Sequence, residues 1–191
     1  MTNRYLPAIR KTMLIAWAAL IVFCAVYYAT HLEAFTSQAI ADFLLKHKER
    51  LILLYSLLSL MRGLTLLPST PLVIAGALAF PTQPFLVLTI SIIGVLFSSV
   101  MIYFFSDYLG LSDYFNKKYP KQLAQTRERL ERPSGLLFLL LWSFFPLVPT
   151  DLACYVAGTA RMAFAKFILV VFIGEMILCS ACIYTVSAFF V

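Results

Sequence analysis

Four ionisable residues stand inside apolar sequence: Arg62, Asp107, Asp151 and Glu175. A charge at mid-membrane costs about 2.5–3.5 kcal/mol on insertion scales, so each needs a partner or a task. Glu175 is the most isolated, with eight apolar residues before it from Phe167 and sixteen mostly apolar residues after it. A proton relay at Glu175, or a buried ion pair with Arg62, would satisfy it. Arg62 stands six residues before Pro68 and suits an anionic headgroup or a carboxylate partner. Asp151 follows Pro146-Leu147-Val148-Pro149-Thr150, where a helix should begin. It reads either as an N-cap or as a carboxylate facing a water-lined cavity. Asp107 lies where polar sequence starts and reads as a membrane boundary. Among these residues there is no nucleophile beside a base, no glycine-rich nucleotide loop and no metal-ligand set, so neither enzymatic chemistry nor a cofactor is expected.

The chain that must position these groups is 62% hydrophobic and 13% charged, with a mean hydropathy of +0.89. A soluble domain is nearer half apolar, so this is an all-α polytopic membrane protein. Its net charge of +6 sits in short clusters beside apolar runs, which sets orientation in a bilayer. No basic stripe interleaved with aromatics supports nucleic-acid binding. The four cysteines, Cys24, Cys154, Cys179 and Cys182, all lie in apolar runs and read as small buried hydrophobes. His31 and His47 fall in the polar join after the first span and read as interfacial.

Arg4, Arg10 and Lys11 precede a first apolar run at 12–30, about 28 Å of helix and enough to cross hydrocarbon. The expectation is a retained anchor with a cytoplasmic N-terminus. Residues 31–50 turn amphipathic at helical spacing and predict an interfacial helix. The apolar run 51–80 is interrupted by Pro68-Ser69-Thr70-Pro71, and the run 136–161 by Pro146 and Pro149. Proline lacks the amide donor and clashes with the preceding turn, so each run should split into two half-helices. Between them come a span at 85–106 and the polar segment 108–134, with Lys117, Lys118, Lys121, Arg127, Arg129 and Arg132 against Asp113, Glu128 and Glu131. Pro120 and Pro133 should bound a surface helix there, and 167–191 is the last span.

Charge decides how these runs sit. If 51–80 crossed the membrane, three crossings would place the basic segment outside; if it enters and returns, two crossings place it inside. The same choice for 136–161 keeps Arg161 and Lys166 inside. The expected fold is therefore about three full spans plus two oppositely directed re-entrant helical hairpins. A repeat supports it: Pro68-Ser69-Thr70-Pro71 before Gly76 parallels Pro149-Thr150-Asp151 before Gly158, each followed by a span holding Ile-Gly, at Ile93-Gly94 and Ile173-Gly174. That is an inverted repeat, an architecture of many secondary transporters. One membrane domain results: an N-terminal anchor and interfacial helix at 1–50, repeats at 51–107 and 135–191, and a cytoplasmic linker at 108–134.

Arg62, the run Leu66-Leu67-Pro68-Ser69-Thr70-Pro71, the run Ala75-Gly76-Ala77-Leu78-Ala79-Phe80, then Phe145-Pro146-Leu147-Val148-Pro149 and Ala157-Gly158, together resemble the DedA/VTT superfamily, also called SNARE-associated Golgi protein-like. The resemblance spans about 51–191. It implies two opposed re-entrant hairpins and movement of phospholipid or polyprenyl phosphate between leaflets. Ser143 stands where many members have an arginine, and the acidic residue near the first hairpin of proton-linked members has no clear match.

The expected function is that of a lipid translocase or scramblase in a bacterial plasma (inner) membrane, with an anionic headgroup docking between the hairpins. The alternatives are a proton-coupled transporter of a small solute or ion, and a membrane-assembly factor without transport. The candidate binding residues are Arg62, Pro68, Pro71, Gly76, Pro146, Pro149, Asp151 and Gly158, with Glu175 and Asp151 as candidates for proton coupling. Expected partners are lipids with anionic headgroups, and a homo-oligomer is left open.

Overall fold

A computed structural model describes residues 6–65, 69–146 and 149–190, which form helices joined by short turns, with no strand among them. The chain opens with α1 (Leu6–Thr30), then α2 (Ser37–Lys46) between two short 3-10 turns, Leu32–Phe35 and Lys48–Arg50. Next come α3 (Leu51–Thr65), α4 (Ser69–Ala79) and α5 (Pro84–Tyr108). The polar segment folds as α6 (Leu111–Lys118) and α7 (Pro120–Glu131), and the chain closes with α8 (Pro133–Phe144), α9 (Thr150–Thr159) and α10 (Phe164–Phe190).

Local chemistry sets these boundaries. Proline stands in the first turn of α5, α7 and α8, where its missing N–H is unneeded and its fixed φ suits a helix. Gly110 takes φ 77°, a left-handed conformation that turns the chain from α5 into α6. The predicted amphipathic helix over 31–50 is interrupted: Thr36 leaves helical geometry and its side chain accepts from the Ala39 N–H, which restarts the helix as α2.

Among the described residues three helices are long and apolar enough to cross a membrane: Thr12–Thr30 within α1, Pro84–Tyr108, and Phe164–Phe189. At 1.5 Å per residue α5 is roughly 37 Å long, against about 30 Å of hydrocarbon. Ser69–Ala79 and Pro133–Phe144 are apolar but too short to cross.

Two apolar clusters make the core. One joins Leu44, Tyr55, Leu72, Val73, Val87, Cys179 and Ile183; the other joins Val95, Ile102, Tyr103, Leu139, Cys154, Phe167 and Val171. The first half of α5 serves the first cluster and its second half the other, whereas α10 does the reverse, so α5 and α10 run antiparallel through both. α3 packs on α5 and α8 on α10, while α4 packs on α10 and α9 on α5. Lipid is as apolar as leucine, so close approach at small residues must hold such helices together. Accordingly Gly94 lies against the Ser59 backbone and Gly174 against Ser143.

Candidate functional site

Between the two clusters three charged side chains are buried from three different helices. Arg62 comes from the last turn of α3, Asp151 from the first turn of α9 and Glu175 from the middle of α10; they are 6%, 1% and 0% exposed. The Arg62 charge acts on both carboxyl groups, and Glu175 acts on Asp151. Thr150 Oγ1 donates to Glu175 Oε1 at 2.6 Å, and Cys179 Sγ lies 3.9 Å from Glu175 Oε2. Neither oxygen of Asp151 has a hydrogen-bond partner among the described residues, and the same holds for the buried Ser143 hydroxyl. Buried polar atoms left in this condition take water or a ligand.

Asp151 does not cap its helix. Pro149 holds the cap position and Thr150 is the first helical residue, so Asp151 is the second helical residue, two positions past the cap. It still lies where the unbonded N–H groups of α9 collect, the positive end of the helix.

The two proline breaks touch: Thr70 Oγ1, in the first turn of α4, donates to the Pro146 carbonyl at 3.1 Å, a contact spanning 76 residues. Trp142 Nε1 donates to the Pro149 carbonyl at 3.3 Å and braces the second break. Away from the breaks, α3 and α4 open at one end of α5. Residues 48–53, Ala79, Phe80 and Gln83 surround one cavity of about 660 Å³ there, next to Pro84. α8 and α9 open at the other end of α5. Glu131, just before α8, accepts from the Ala163 N–H after α9 at 3.0 Å, and Arg161 Nε donates to Asp107 at the end of α5 at 2.9 Å. The Ala163 N–H holds the Glu131 carboxyl below the usual glutamate range, helped by Arg127 and Lys166.

The predicted binding residues therefore fall into groups. Arg62, Asp151 and Glu175 come together, and Pro146 and Pro149 lend their carbonyls to the contacts around them. Pro71 and Arg62 line one apolar cavity of about 570 Å³. Gly76 lies under the Tyr55 ring and Gly158 against Ser106 and the Tyr103 carbonyl, so both sit at helix contacts. Pro68 lies outside the described residues. Asp107 stands at the end of α5, bound to Arg161 together with Asp113. The sequence places a helix start at Thr150, as found, but the hydroxyl contacts of Thr70 and Thr150 were missed, although a hydroxyl beside each proline break was a signal for a polar contact there.

A family model described as the VTT domain matches residues 67–188, more than half of the chain, and takes in both touching breaks, Asp151 and Glu175. No curated protein and no solved structure matches the chain. With three helices able to span a bilayer and this match, the chain is an integral membrane protein that belongs to the VTT domain family, the DedA or SNARE-associated Golgi protein-like superfamily.

Proposed function

We propose that the protein moves a lipid with an anionic headgroup, phospholipid or polyprenyl phosphate, between leaflets. The observation that carries this reading is the meeting of the two proline breaks beside buried Arg62, Asp151 and Glu175. In a membrane-spanning protein a polar, ionisable centre of this kind needs a task, and broken helices place their positive N-terminal ends at such a centre. The headgroup enters from one leaflet, exchanges water for Arg62 and the N–H groups opening α4 and α9, and leaves toward the other leaflet while its chains stay in lipid. Thr70–Pro146 is the contact that must part for it to pass.

In this reading α3–α4 and α8–α9 are re-entrant hairpins that enter from opposite faces and form an inverted repeat. Their open ends at opposite ends of α5, and the crossed packing of α4 on α10 and α9 on α5, support it. The N-terminus and the basic 108–134 segment are then cytoplasmic. Labelling of a cysteine placed near Lys118 from outside the cell would contradict that orientation.

The decisive experiment reconstitutes purified protein in liposomes carrying a fluorescent phospholipid or a labelled polyprenyl phosphate. One of the two should flip faster than in empty vesicles; equal rates for both would remove the proposal.

Asp151 favours a second reading, in which transport is coupled to protons. Two carboxyl groups lie in the field of one arginine, so uptake of one proton would balance the charge of the centre, and neither Asp151 oxygen has a hydrogen-bond partner among the described residues. Full pH-dependent transport in Glu175→Gln and Asp151→Asn variants would exclude it.

A further inference from the structure

We infer that the N-terminal arm and the first proline-broken helix pair form a binding groove for one acyl chain of an anionic glycerophospholipid. The cavity of about 570 Å³ runs between α2 and the facing sides of α3 and α4, with Phe35 and Phe43 on one wall and Leu58, Met61 and Leu72 on the other. Arg62 is the one charged residue among the described residues that line it. Phe43 and Met61 are about half exposed, so the groove is open along its side rather than sealed in the core.

α2 packs along the face that adjoins the groove, with Ile40 on the boundary between the two. Ala41 and Leu44 are fully buried, Leu44 in the core cluster with Leu72 and Val73 of α4, while Gln38 and Asp42 hydrogen-bond to each other at 3.1 Å in solvent reach. Ile40 and Leu72 serve both the core and the groove, whereas Phe35, Ala39, Phe43, Leu58 and Met61 of the groove wall stand outside that core cluster. Size selects the occupant. A water-sized group takes roughly 30 Å³ in a liquid, so the groove holds on the order of twenty such groups, one acyl chain and far less than a polyprenyl tail. Charge bears on the head: an anionic headgroup at this end of the channel meets the Arg62 guanidinium in competition with Asp151 and Glu175. Residues 28–62 of the groove precede the stretch matched by the VTT domain, so this wall is a feature the family model does not cover.

This names a substrate subsite for the translocase reading and rests on that reading only for its role. The test uses the full chain in liposomes of phosphatidylglycerol or phosphatidylcholine, each carrying a photoactivatable group in one acyl chain, with cross-linked peptides mapped by mass spectrometry. Phosphatidylglycerol should label peptides holding Phe35 to Phe43 and Leu58 to Met61. Ala39→Trp, which fills the groove, should lower that labelling at least five-fold. Leu45→Trp on the exposed side of α2 serves as the matched control for folding and should leave it unchanged. Arg62→Gln should remove the preference for phosphatidylglycerol. Labelling spread evenly over the lipid-facing sides of α5 and α10, or unchanged in Ala39→Trp, overturns the groove. Cross-linking needs no flipping: a labelled groove in a protein that does not flip lipid keeps the subsite and removes the translocase, and flipping untouched by Ala39→Trp does the reverse.

Discussion

Replacing Gly94 by alanine should destabilise the protein, against the helix-propensity trend. In an exposed helix the change gains about 0.8–1.0 kcal/mol. Here the new Cβ would stand 2.7 Å from the Ser59 carbonyl oxygen, about 0.7 Å inside the 3.4 Å at which ordinary contact begins, and 2.9 Å from the Ser59 carbonyl carbon. Both are backbone, so α3 and α5 must separate. Overpacking of this kind costs about 1–3 kcal/mol, and a backbone clash belongs near the top of that range. The net loss is then about 1–2 kcal/mol, or roughly 2–8 °C in Tm for a chain of this size. Gly174 differs in a checkable way. Its added Cβ meets Ser143 Cβ at 2.7 Å and the nearest backbone atom, Leu140 O, only at 3.1 Å. Ser143→Gly should therefore recover part of the Gly174→Ala loss, whereas Ser59→Gly should recover little of the Gly94→Ala loss. Thermal unfolding of detergent-solubilised protein, followed by size-exclusion chromatography, reads both double-mutant cycles. A stabilised Gly94→Ala, or equal rescue in both cycles, would refute the packing argument.

Three further outcomes follow from single residues. Arg161 has φ 51°, a left-handed conformation that costs a side-chain-bearing residue roughly 1–2 kcal/mol, while its half-exposed ion pairs with Asp107 and Asp113 are worth only about 0.2–1 kcal/mol each; Arg161→Gly should thus be more stable than Arg161→Ala in the same melting assay. The lowered Glu131 carboxyl contributes stability that is present above a glutamate's ordinary 4.5 and is lost as pH falls through the lower folded value, so the Tm gap between wild type and Glu131→Gln should be widest near neutrality and close in acid. Tyr55→Phe removes a buried hydroxyl bonded to Ser91 at 2.7 Å, but Ser91 keeps its own bond to the Val87 carbonyl, so the loss should be about 0.5–1.5 kcal/mol rather than that of a fully orphaned pair.

Much of the helical order is legible in the sequence because proline and apolar length are local signals. The spans at 12–30, 85–106 and 167–191 reappear in α1, α5 and α10, with ends shifted by a few residues, and the second proline break ends α8 at Phe144, while residues 66–68 of the first lie outside the described residues. Pro120 and Pro133 mark where α7 and α8 start. Contacts between distant residues carry no local signal. Thr70 finds Pro146 across 76 positions and Arg161 finds Asp107 across 54, both fixed by how α4 and α9 cross between the long helices. Asp151 reads as a cap because capping chemistry is local, but Pro149, with φ already near −61°, takes the cap position first. α6 escapes a periodicity search because eight residues with two lysines and an aspartate offer too short an apolar face.

The central claim, lipid passage over a polar centre at Arg62, is tested most directly by flip rates in liposomes holding wild type, Arg62→Gln or no protein. A charge-assisted hydrogen bond to a headgroup is worth about 1.5–3 kcal/mol, so Arg62→Gln should slow flipping of an anionic phospholipid or polyprenyl phosphate roughly ten- to a hundred-fold. Wild-type vesicles that flip neither lipid faster than empty ones, or an Arg62→Gln protein that flips as fast as wild type, would contradict the account.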